Sequence, residues 1–220
     1  MYETISGNLL RIQEEIAPCK PRIIAVTKYF GKEAMICAYN AGIRDFGESR
    51  VIEASEKIQN LPEEMKKNST FHFIGHLQTN KVKQAVKIFD YIHSVDSIKL
   101  AQCIDKHCAD IGKIQKVLIQ INNAGEEQKF GFSTSEVFKS FEQIKRLEHI
   151  NLVGVMNMAP LGIKEDEILK LFDEIRKIKE QLENEFNCKL DEISMGMSQD
   201  YKLAAVAGST MLRIGRELFK

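Results

Sequence analysis

Short apolar runs alternate with amphipathic segments from one end of this chain to the other, and that alternation restricts its fold more than any other feature. Ile5, Leu9, Ile12 and Ile16 recur at helical spacing and put one apolar face on an opening helix. A first strand follows at Arg22 to Tyr29, then a helix at Lys32 to Asn40 closed by Gly42, and a second strand at Ile43 to Glu48. The pattern continues with helix Arg50 to Gln59, strand Phe71 to His76, helix Asn80 to Ile88, strand Tyr91 to Val95 and helix Ser97 to Ile111. Strand five, Lys116 to Asn122, is rich enough in branched residues to be buried on both faces. Helix Ser133 to Leu147, strand six at Leu152 to Met158, and a long helix striped by Ile168, Leu171, Phe172, Ile175, Ile178 and Leu182 come next. Strands seven and eight, Ile193 to Met197 and Met211 to Gly215, flank a short Ala-rich helix.

Strands alternating with helices pair in parallel through right-handed crossovers, and closing eight of them gives a (β/α)8 barrel with one extra helix before strand one. An open doubly wound sheet shares the alternation, but it calls for a glycine-rich loop after strand one, and Lys28-Tyr29-Phe30-Gly31 is not one. At 220 residues, with no linker-like stretch, the chain is expected to form one domain over 1–220. Barrels of this kind carry their sites at the C-terminal strand ends, with phosphate commonly held after strands seven and eight.

Two segments draw attention on that basis. Lys28 ends the first strand, where an amine can point into the barrel mouth. Ser194 to Gly215 (SMGMSQDYKLAAVAGSTMLRIG) reads as a cup for an anion, with hydroxyls at Ser198, Ser209 and Thr210, a guanidinium at Arg213, and glycines 208 and 215 allowing close approach to the main chain. The same residues would equally make a helix cap and a turn.

Lys28 in IIAVTK, FGES at Phe46 to Ser49, FHFIGHLQTNK at Phe71 to Lys81, HSVDS at His93 to Ser97 and SMGMSQDY together resemble the pyridoxal phosphate homeostasis family, from about residue 22 to 219. The resemblance implies a barrel like the N-terminal domain of alanine racemase, with pyridoxal 5'-phosphate held as a Schiff base by Lys28. It further implies phosphate contacts at Ser198, Gly208, Ser209, Thr210 and Gly215, and Arg213 facing the cofactor from strand eight. Members commonly read FGEN where this chain has Ser49, which is shorter than asparagine and weakens any contact from there. The implied role is to hold, buffer or supply the coenzyme inside the cell, with apo-enzymes that depend on it as partners. A weakly active amino-acid racemase is the alternative. It is disfavoured because the second, all-β domain that gives such racemases a tyrosine base is not expected here. A phosphosugar enzyme using the same cup is a third reading.

Charge and composition narrow the field further. Lys plus Arg and Asp plus Glu number 31 each, so no net field draws nucleic acid or an anionic membrane. The acidic, helical opening does not read as a signal peptide, and no apolar stretch approaches membrane-spanning length. Cys19, Cys37, Cys103, Cys108 and Cys188 form an odd set with no CxxC pair, which suits reduced thiols in a cytoplasm. His72 and His76 share a strand face but stand roughly 13 Å apart at strand rise, so no metal site is expected. No role is assigned to any histidine. Glu126, Glu127 and Lys129, after strand five, are expected at the functional face, either gating it or merely solvated. A monomer is expected.

Overall fold

Helix α1 (Ile5–Glu15) precedes strand β1 (Arg22–Val26), and the strands then close on themselves in sequence order, with β1 hydrogen-bonded to both β2 (Asp45–Glu48) and β8 (Met211–Ile214). This computed structural model describes residues 4–126 and 130–220. The remaining strands are β3 (Thr70–Phe73), β4 (Tyr91–Val95), β5 (Gln115–Gln120), β6 (Ile150–Met156) and β7 (Glu192–Met197), all paired in parallel. The barrel read from the alternation is therefore the fold.

Helices α2 (Lys32–Asn40), α3 (Val51–Gln59), α5 (Val82–Ile88), α6 (Ile98–Ala109), α7 (Val137–Lys145), α8 (Glu165–Glu185) and α9 (Tyr201–Val206) form the crossovers. Two further helices escape the periodicity: α4 (Glu63–Lys67), one turn with acids at its start and lysines at its end, and α10 (Arg216–Phe219), which closes the chain. Asn8 of α1 donates to the carbonyls of Leu218 and Lys220 and pins α10 across α1. Strand β3 stops at Phe73 rather than His76, because the chain bends where Gly75 passes the Ser49 carbonyl so closely that a Cβ would lie 2.5 Å from it.

Apolar side chains divide into two cores. The larger fills the layer between strands and helices, as the α8 stripe of Phe172, Ile175, Ile178 and Leu182 requires. The smaller, Ile24, Tyr91, Leu118, Met156 and Met211, plugs the barrel interior.

The register of β1 against β8 fixes what lies at each end. Arg22 is level with Met211 and Ala25 with Ile214, and the Arg22 N–H donates to the Thr210 carbonyl at 2.8 Å. Residues that follow these strands, Lys28 and Gly215, therefore lie at one end of the barrel, and Thr210 lies at the other.

Candidate functional site

Lys28 sits on a turn built by its neighbours. Buried Thr27 continues the strand ladder, its N–H donating to the Gly47 carbonyl at 3.1 Å and its hydroxyl to Glu48 Oε1 at 2.7 Å. The Phe30 N–H then donates back to the Thr27 carbonyl at 2.9 Å, so the chain reverses and Lys28 and Tyr29 stand out at the tip. Tyr29 is 79% exposed, and Lys28 Nζ lies 5.0 Å from its ring centroid. Among the described residues the Lys28 amine makes no hydrogen bond or ion pair.

At the same end, Ser198 follows β7. Its Oγ accepts from the N–H groups of Gly215 and Glu217 at 3.3 and 3.4 Å, so two main-chain donors after β8 converge on one hydroxyl. That convergence is what an anionic oxygen needs. A separate cavity of about 270 Å³ opens between the segments that follow β2 and β3, with Ser49, His76 and Lys81 on its wall. His76 bonds Asp96 at 3.0 Å and stacks on Phe130 at 3.7 Å between centroids. The Asn122 side chain donates to the Glu126 carbonyl, while Glu127 and Lys129 lie outside the described residues.

The other half of the expected cup is elsewhere, and the reading of Gly208, Ser209 and Thr210 as phosphate contacts is corrected. They join α9 to the start of β8, roughly 13 Å of strand away from its mouth end. Gly208, at φ +94°, ends α9 in the left-handed conformation that glycine adopts freely. The Ser209 hydroxyl lies against the carbonyls of Ile193, Met195 and Met211, and that of Thr210 donates to Glu192 at 2.7 Å. Their chemistry is that of a barrel floor. Of the expected set, Lys28, Ser198 and Gly215 lie at the mouth end, with Arg213 buried on the strand between mouth and floor.

Arg213 ends a polar chain that crosses the barrel. Its Nη1 donates to the carbonyl and the hydroxyl of Ser194, each at 2.7 Å, and Nη2 donates to the Asn157 carbonyl at 2.8 Å. Ser194 Oγ stands 2.8 Å from His93 Nδ1, His93 Nε2 2.9 Å from His72 Nδ1, and His72 Nε2 2.9 Å from Asp45 Oδ1. A guanidinium only donates and a carboxylate only accepts, so with neutral rings one direction satisfies every link. Ser194 donates to His93, His93 to His72 and His72 to Asp45, and both rings carry their proton on Nε2.

Burial agrees with neutral rings. It pulls both histidines below their ordinary value; for His93, which is fully buried, the charges of His72, Arg213 and Arg22 add to a large displacement, while Asp45 opposes the shift at His72. Burial also pushes the Arg213 guanidinium down to about 10, against the pull of Asp200. Asp45 continues toward the floor through Arg22, which is paired with Glu192.

Ser194→Ala removes the middle of this chain and leaves His93 Nδ1 buried without a partner and one Arg213 N–H without its acceptor. The expected loss is about 2 kcal/mol of unfolding free energy, read from urea denaturation at pH 7.5.

The sequence gives His72 and His93 no metal partner and singles out neither Ser194 nor Asn157, because these polar residues are scattered over four separate segments. The available signal was period two: His72 and His93 fall on the inward faces of adjacent strands, as does Ser194 on β7.

Comparison with known proteins places this geometry. The model for the alanine racemase N-terminal domain matches residues 2–220. A pyridoxal phosphate homeostasis protein of Synechocystis sp. is 38% identical over 202 residues, covering 92% of each chain. The chain belongs to the pyridoxal phosphate homeostasis family. A second member, from Vibrio alginolyticus, is 38% identical over 204 residues, covering 92% of this chain and 87% of its own. Among solved structures, PipY of Synechococcus elongatus with pyridoxal phosphate bound is 34% identical at a TM-score of 0.88, covering 98% of this chain and 100% of that one. Alanine racemase of Clostridium difficile superposes at a TM-score of 0.80 with 18% identity, which shows a common fold between the family and 56% of the racemase chain.

Proposed function

We propose that this protein binds pyridoxal 5'-phosphate at the barrel mouth, covalently through Lys28, and buffers or supplies it to apo-enzymes rather than turning over a substrate. One observation carries the reading: an amine with no hydrogen bond or ion pair among the described residues stands at the same barrel end as two main-chain N–H groups that converge on the hydroxyl oxygen of Ser198. The donor set fits the group, since a phosphate is an anion that takes converging N–H and O–H donors and an aldehyde needs an amine. The bound coenzyme supplies an electrophilic aldehyde carbon. The chain supplies the rest.

Lys28 presents its amine from a turn tip, and condensation there forms one C=N bond and releases one water. Ser198 and the N–H groups of Gly215 and Glu217 hold the phosphate and set its distance from that amine. Arg213, fixed by Ser194 and Asn157, presents a permanent positive charge that does not shift as ligand arrives. Ser49 has a shorter reach than asparagine and contributes less from β2. The names of the family's members support a homeostatic role over racemisation, and five cysteines without a CxxC pair suit a cytoplasmic setting.

The test is an absorbance spectrum of the protein loaded with the coenzyme, followed by borohydride reduction and peptide mapping. A stable adduct on Lys28 is the expected result. No adduct, or an adduct on another lysine, overturns the assignment.

A further inference from the structure

Behind the turn that carries Lys28 lies a second lysine with a different task. Lys57, on α3, donates from Nζ to the carbonyl of Thr27 at 2.9 Å, to that of Phe30 at 3.1 Å, and to Glu48 Oε1. An ammonium has three N–H donors, and these three acceptors use them all. Two belong to the residues on either side of Lys28-Tyr29. The third, Glu48, also accepts from the Thr27 hydroxyl at 2.7 Å. The pair is well shielded, with the Lys57 side chain 14% exposed and that of Glu48 2%. Two buried charges therefore grip one turn from below, through both its first and its last carbonyl.

We propose that Lys57 and Glu48 are positioning residues for Lys28: they hold the turn from residue 27 to 30 so that the Lys28 amine meets the coenzyme's aldehyde at bonding distance. The inference rests on Lys28 being the covalent anchor. Lys57 itself is not a second anchor, because every proton on its amine is already committed. Orientation is where such a clamp acts, since a reacting pair held near bonding geometry gains far more than a freely moving one. The phosphate donors at Ser198, Gly215 and Glu217 follow other strands, β7 and β8, and make no contact with the clamp's hydrogen bonds.

Covalent capture and plain binding should therefore separate. The rate of capture is followed by absorbance after mixing with pyridoxal phosphate, and the adduct is fixed with borohydride and mapped. Plain binding is the dissociation constant of pyridoxine 5'-phosphate, which has the phosphate and ring but no aldehyde. Lys57→Met is expected to slow capture roughly tenfold, with pyridoxine phosphate affinity kept within about twofold. Lys57→Arg, which keeps charge and donors, is expected to recover at least about threefold of that loss. Glu48→Gln, nearly the same shape, is expected to slow capture about threefold and decides the matter if Lys57→Met does not fold. Capture at the wild-type rate in these variants, or a fall in pyridoxine phosphate affinity that matches the fall in capture, overturns the proposal. Capture by the unmodified protein at another amine would instead overturn the assignment of Lys28, so the two failures are distinct.

Discussion

Lys28→Ala is expected to abolish covalent capture of pyridoxal phosphate outright while leaving the barrel as stable as before. The two halves of that expectation have separate causes. Capture needs an amine at the turn tip, and alanine has none. Stability is spared because the Lys28 side chain is half-buried and bears no hydrogen bond or ion pair among the described residues, so its removal leaves no orphaned partner. A surface change of that kind is worth about 0.5 kcal/mol or less. Borohydride reduction of the variant should fix no coenzyme at any position, and its urea midpoint should match that of the unmodified chain. The phosphate donors remain, so weak reversible binding of the coenzyme should persist in equilibrium dialysis. Capture surviving in this variant would remove Lys28 from the mechanism.

Acidification is the second large effect, and its sign follows from the histidines inside the barrel. His72 and His93 are held below the ordinary value of 6.5, whereas an unfolded chain titrates both near it. Below pH 6.5 the unfolded chain thus binds protons that the folded one refuses, and stability must fall as pH falls. It is fully present about one pH unit above 6.5, and each ring contributes a slope of up to roughly 1.4 kcal/mol per pH unit below 6.5. Glu48 and Asp200 act in the opposite sense. Burial raises both, so the folded chain takes up their protons first and the loss is partly offset as the ordinary carboxylate range is approached. The cleanest window is about pH 6.5 to 5.5. Unfolding free energies from urea titrations at pH 7.5, 6.5 and 5.5 should fall about threefold less across the first interval than across the second. A flat profile throughout would mean that the rings are not held neutral.

The barrel was legible in the chain because most strands are short apolar runs and the longer crossover helices carry a stripe at their own period, so local pattern and global topology agree. The long α8 stripe and the doubly buried Val117, Leu118 and Ile119 appear as read. The mouth-end placement of Lys28, Ser198 and Gly215 in the candidate site was equally open to reading, since all three follow strands. Gly208, Ser209 and Thr210 misled for a physical reason: they resemble an anion loop in composition, yet they precede β8, and in a barrel the segments before strands gather at the floor. The clamp was invisible because Glu48 and Lys57 lie on different elements. Their meeting beneath Thr27 depends on how α3 folds back over β2, and one-dimensional spacing does not encode that.

The chain from Arg213 to Asp45 also gives the barrel an electrical polarity. With a fixed cation at one end and a carboxylate at the other, each hydroxyl and N–H between them points the same way, and their dipoles add across the interior. No group in that row can turn around, because reversal at any link would set two donors or two lone pairs face to face and the two ends are fixed. Lone pairs face Arg213 and protons face Asp45 along the whole row, so the interior holds both buried charges with no reorganisation left to supply.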